Sequence, residues 1–110
     1  MALDYDVFAT MCPSRETLDL VTSRWGTLVL AGLAEVDSAR FSDLRRRIDG
    51  ISDKMLSQTL KQLQAGGLVA REQPDPLAQQ VDYALTDAGR TVAASVIELV
   101  QSIYRVQPLA

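Results

Sequence analysis

The order of periodicities in this 110-residue chain predicts a mainly α domain with one small β-hairpin, an α+β class. Three observations predict it. Apolar side chains recur at helical spacing through most of the chain. Ser and Thr residues stand just before those periodic stretches, where helix caps belong, and glycines stand just after them. Only between Leu68 and Leu85 does the pattern change to strand-like runs around a Pro-rich turn.

Taken in order, Met1 to Met11 forms an arm whose Leu3, Tyr5, Val7, Phe8 and Met11 must pack on the body or on a second chain. Cys12-Pro13 opens the first helix, because proline's missing N–H costs nothing at the first helical position. Leu18, Val21 and Trp25 follow at helical spacing. Ser23 caps a second helix, about Arg24 to Ala34, that is apolar nearly all round and reads as the central core helix. Ala39-Arg40-Phe41 reads as a short extended piece. Ser42 then caps a short helix, Asp43 to Ile48, with Leu44 and Ile48 inward and Arg45, Arg46 and Arg47 mostly outward.

Asp49-Gly50 ends that helix, glycine tolerating the left-handed conformation common at helix ends. Ser52 caps a longer helix through about Ala65, with Ile51 and Leu56 placed as a hydrophobic staple. Its buried stripe is Leu56, Leu60 and Leu63, and Gly66-Gly67 stops it. Leu68 to Gln73 and Gln80 to Leu85 read as two strands joined through Pro74-Asp75-Pro76. Thr86 caps the last helix, which runs to about Tyr104, with Pro108 beyond. Along the chain the divisions are an arm and first helix at 1–22, a two-helix motif at 42–65, a hairpin at 68–85 and a last helix at 86–106, all in one domain at 1–110.

Composition narrows the function. Hydrophobic residues are 47% and charged residues 23% of the chain, the ordinary range for one globular core. There is no histidine, one cysteine, no Gly-rich phosphate loop and no carboxylate pair at useful spacing. An enzyme is therefore not expected, nor a metal or other cofactor. The apolar run Trp25 to Ala34 is too short to span a membrane, and the acids Asp4 and Asp6 do not suit a signal peptide. The expected location is the cytoplasm, with no membrane partner.

The net charge of −3 argues mildly against a nucleic-acid partner. Its distribution argues the other way. Between Arg40 and Arg71 stand seven bases and three acids, against four bases and eleven acids in the remainder. The basic stretch covers a short helix, a tight glycine turn and a longer helix, with the hairpin directly after: a helix-turn-helix followed by a wing. In that motif the second helix enters the major groove of duplex DNA, where side chains with donors and acceptors read base edges. The candidate contacts are Ser42, Arg45 and Arg46 on the first helix of the motif, and Ser52, Lys54, Ser57, Gln58 and Lys61 on the second. Arg71 joins them from the base of the wing. Gln58 suits bidentate pairing with adenine; Lys54 and Lys61 suit guanine or phosphate. Trp25 and Phe41 are read as core and not as stacking platforms.

The last helix repeats Val92, Val96, Leu99, Val100 and Ile103, a stripe wider than a wing needs. With Phe8 of the arm it is read as a homodimer face, the chain dimerising through its N- and C-terminal helices. Cys12 falls at a helix start, where the dipole favours thiolate, with Arg15 one turn on. That is the chemistry of a thiol sensor. The competing reading is a small structural hydrophobe.

Taken together, these residues resemble the HxlR-type family of winged helix-turn-helix transcriptional regulators. The resemblance runs from Cys12 to about Gly89. It rests on Cys12-Pro13 with Thr17-Leu18-Asp19-Leu20, on Arg24-Trp25, and on Arg40-Phe41-Ser42-Asp43-Leu44-Arg45. It continues through Gly50-Ile51-Ser52, Lys54-Met55-Leu56, Leu60, Leu63 and Gly67-Leu68-Val69 to Tyr83-Ala84-Leu85-Thr86 and Gly89. It implies a homodimer on a palindromic operator, regulation of nearby genes, and in some members a response to oxidants or electrophiles. Repression is the expected sign for a small regulator without an activation segment. Two features depart from the family pattern: the wing tip from Pro74 to Gln79 carries Asp75 and no base, and Asp53 adds an acid at the start of the recognition helix. Both features point to modest affinity for DNA, and the acidic wing with the acidic pI supports one alternative, a winged-helix protein–protein adaptor that does not bind DNA.

Overall fold

The computed structural model describes residues 6–107. Leu3 and Tyr5 of the arm, and Pro108, lie outside the described residues. The elements are α1 (Pro13–Val21), α2 (Arg24–Ala34), α3 (Phe41–Arg47), α4 (Asp53–Ala65), β1 (Val69–Glu72), β2 (Asp82–Leu85) and α5 (Asp87–Val106). No helix among the described residues is long and apolar enough to cross a membrane.

Three of the expected caps form as the sequence indicates. The hydroxyl oxygens of Ser23, Ser52 and Thr86 accept from the backbone N–H groups of Gly26, Met55 and Gly89 at 3.1, 3.0 and 3.0 Å. Each satisfies a first-turn donor that has no partner within its helix. Thr86 does more: its hydroxyl donates to Gly67 O at 2.7 Å, tying the start of α5 to the end of α4.

The start of α3 differs from expectation. Phe41 is already helical, and the residue before the helix is Arg40, not Ser42. The cause is Asp43, whose carboxylate reaches back to accept from Arg40 N–H at 3.0 Å. The extended piece at 39–41 shrinks to a single bridge, in which Ala39 and Tyr83 exchange backbone hydrogen bonds of 2.8 and 2.7 Å.

The strands are also shorter than expected. Leu68 N–H donates to Leu63 O, and Leu68 O accepts from Thr86 N–H, so this residue closes α4 and anchors α5 instead of entering the ladder. The antiparallel pairing runs from Val69↔Leu85 to Glu72↔Asp82. Gln80 lies outside it, its amide directed to the Asp82 carboxylate.

At the centre of the core, Val29, Leu30 and Leu33 of α2 are fully buried, and α2 packs against all four other helices and β2. Leu44, Ile48, Ile51, Leu56, Leu60 and Leu63 close round it from α3, the turn and α4. α2 is not buried all round: Leu28 is exposed and Trp25 is half-buried beneath the Arg24 guanidinium, 4.7 Å from the ring centroid. Trp25 and Phe41 both pack against the core, as expected. α1 lies on the surface and buries no residue completely; Thr22 and Ser23 separate it from Trp25, which belongs to α2.

The apolar stripe of α5 divides in two. Ala93 and Val96 are buried in the chain's own core, with Val92 packed against it. Val96 was expected on the dimer face; a side chain 6% exposed has no area left to offer a partner. Leu99 and Ile103, at 53% and 43%, remain outside.

Candidate nucleic-acid interface

The motif is α3, the turn 48–52 and α4. The turn closes because Gly50 adopts φ +86°, a left-handed conformation that costs glycine nothing. Ile48 and Ile51 on either side of it are buried, fixing α4 against α3. With Leu56, Thr59, Leu60 and Leu63 turned inward, α4 presents its opposite face to solvent.

On that outer face stand Lys54, Ser57, Gln58 and Lys61, a spacing of three, four and seven residues that lines them up along one side of a helix. Lys54, Gln58 and Lys61 are exposed and Ser57 is half-buried. Ser52 is exposed as well, but its hydroxyl oxygen is engaged by Met55 N–H, which leaves the hydroxyl proton to donate outward. Arg71 is exposed on β1, opposite Tyr83 in the register. Beyond it the wing tip folds on itself: the Asp75 carboxylate accepts from Leu77 N–H at 2.9 Å, and the Gln73 amide donates to Ala78 O at 3.2 Å.

On the first helix of the motif the structure adds what spacing could not supply. All three arginines of α3 are engaged by carboxylates of the same chain. Arg45 Nε donates to Asp53 Oδ1 across the two helices of the motif. Arg46 Nη2 donates to Asp43 Oδ1 at 2.7 Å within α3. Arg47 grips Glu35 through Nη2 and Nε at 2.7 and 3.2 Å. Hydrogen bonding and charge from Glu35 push the Arg47 pKa further up, and the pair faces α2 and Tyr104, away from the outer face of α4. Arg45 and Arg46, with Phe41, Ser42 and Asp53, line an open recess of about 560 Å³ at the start of α4. Among the described residues, Arg40, Lys54, Lys61 and Arg71 are the cations of this region without a carboxylate partner.

Cys12 is a free, half-buried thiol at the N-cap of α1, where its side chain makes no capping bond. Arg15, one turn on, bonds Asp19 at 3.3 Å and the carbonyls of Val7 and Phe8 at 3.4 and 3.2 Å, clipping the arm to α1. The Phe8 ring itself is 90% exposed.

Five helices with a two-stranded antiparallel hairpin directly after a helix-turn-helix define a winged-helix protein. A model of the family described as HxlR-like helix-turn-helix matches residues 20–108, and the chain belongs to that family. Among relatives, an uncharacterized HTH-type transcriptional regulator, YtfH of Escherichia coli (strain K12), is 47% identical over 94 residues, 86% of this chain and 74% of YtfH. Among solved structures, the transcriptional regulator YtfH from Salmonella typhimurium superposes with TM-score 0.81 at 43% identity, covering 93% of this chain and 90% of that one. The redox regulator HypR in its oxidized form matches with TM-score 0.77 at 28% identity, covering 89% and 100%. The homologues are regulators of transcription and not enzymes.

Proposed function

We propose that this chain binds duplex DNA as a homodimer on a palindromic operator and represses the genes beside it. The observation that carries the reading is the outer face of α4: Lys54, Ser57, Gln58 and Lys61 aligned on the second helix of the motif, free of the core. Donors and acceptors of this length reach base edges in a major groove. Ser42, Arg45 and Arg46 border the start of that helix and Arg71 flanks it from the wing, positions suited to phosphate. Such a regulator works beside the chromosome, in the cytoplasm.

Dimerisation is supported by apolar area the chain leaves uncovered. Leu99 and Ile103 are exposed on α5 next to half-buried Val92 and Val100, and Phe8 stands out from the arm. Footprinting is the test. Two protected half-sites with centres about 34 Å apart, one helical turn, are expected; one isolated half-site would contradict a two-fold dimer.

A redox or electrophile response through Cys12 has its own support in the likeness to HypR and in the free, half-buried thiol where arm and α1 join. With one cysteine per chain, a two-electron oxidant would couple two subunits' thiols, or a quinone would add to one.

A further inference from the structure

We infer that Asp53 is an internal rival of DNA phosphate for Arg45, and that it holds down the affinity of the motif for DNA of any sequence. This inference rests on the DNA-binding reading above. Asp53 is the first residue of α4, so its charge lies at the positive end of the recognition helix, where an approaching anion would otherwise be drawn. The same carboxylate accepts from Arg45 Nε, eight residues back on α3. One side chain thus answers two features that would each attract a phosphate: a helix N-terminus and a guanidinium.

The pair is not built for stability. The Arg45 and Asp53 side chains are 43% and 77% exposed, and exposed ion pairs contribute little to folding. Exposure makes the carboxylate displaceable, because both partners are reachable from the recess they share with Phe41, Ser42 and Arg46. A phosphate entering this recess must break the pair and then stand beside the displaced Asp53 charge. The contact therefore forms at a discount on every sequence, while base readout by the outer face of α4 is untouched. Asp53 in this way favours discrimination over grip. The Arg46–Asp43 pair is a poorer place to test the idea, because Asp43 also caps α3 through Arg40 N–H.

The experiment measures the affinity of the full chain for an unrelated duplex, across a salt series, for wild type, D53N, R45A and R45A/D53N. Asn and Ser are both acceptable at the first turn of a helix, so D53S provides a second variant should D53N melt early. D53N is expected to tighten binding on the order of five- to tenfold near 0.1 M salt and to steepen the salt slope by about 0.9, the equivalent of one further phosphate contact. In the R45A background, D53N is expected to steepen the slope by clearly less, only the repulsion at the helix N-terminus being relieved there. A slope unchanged by D53N in the wild-type background, the same steepening in both backgrounds, or weaker binding by D53N would each overturn the inference. If wild type binds no duplex at any salt, the DNA-binding reading itself fails and takes this one with it.

Discussion

Gly89→Ala is expected to cost about 3 kcal/mol or more. A Cβ at this position would stand 1.9 Å from Leu68 O and 2.9 Å from Leu68 C, inside any permitted contact. The obstacle is backbone, so no rotamer change relieves it. Nor can that backbone move cheaply: Leu68 O accepts from Thr86 N–H at 3.1 Å, and Leu68 N–H closes α4 on Leu63 O at 2.9 Å. Gly89 N–H is itself the donor to the Thr86 cap. Small domains are stable by only about 5–15 kcal/mol, and each kcal/mol moves Tm by roughly 4–8 °C at this size. A thermal melt is expected to fall by well over 10 °C, with the junction between wing and α5 loosened. A change of less than about 1 kcal/mol would show that the approach of Gly89 to Leu68 is not as close as described.

Gln58→Ala is expected to have the largest effect on recognition. Gln58 is exposed and lies at the middle of the outer face of α4, so the substitution is expected to leave stability unchanged. If its amide pairs bidentately with adenine, truncation costs on the order of 1–3 kcal/mol at the operator and nearly nothing on unrelated DNA. Competition binding with single-base operator variants reads this directly. The discrimination at one position should vanish while the salt slope holds. Equal weakening on every sequence would move Gln58 from base reading to backbone contact.

The parts of the fold visible in the sequence are those set by local chemistry. Ser23, Ser52 and Thr86 cap helices because an oxygen two or three residues from orphan N–H groups has an obvious task. Leu56, Leu60 and Leu63 face inward because only one side of α4 is apolar. The errors arise where a residue serves something distant. Ser42 is a good cap by type, yet Asp43 reached back first and started α3 two residues sooner. Leu68 has strand character, but its backbone closes α4 and holds Thr86. Val96 sits at the right spacing for an outward stripe, and spacing alone cannot divide an apolar helix face between the chain's own core and a partner. The Arg45–Asp53 and Arg47–Glu35 pairs lie eight and twelve residues apart and depend on how helices cross. Asp53 stands out in the sequence as an acid at the start of the recognition helix, but nothing there names its partner.

Whether the outer face of α4 binds duplex DNA decides the rest. Fluorescence anisotropy of the purified chain tests it, with the intergenic DNA upstream of its own gene, unrelated DNA as control, and two salt concentrations. Binding that favours the upstream DNA and weakens as salt rises is expected. No binding to either duplex at low salt would contradict it and favour a winged-helix adaptor whose partner is another protein.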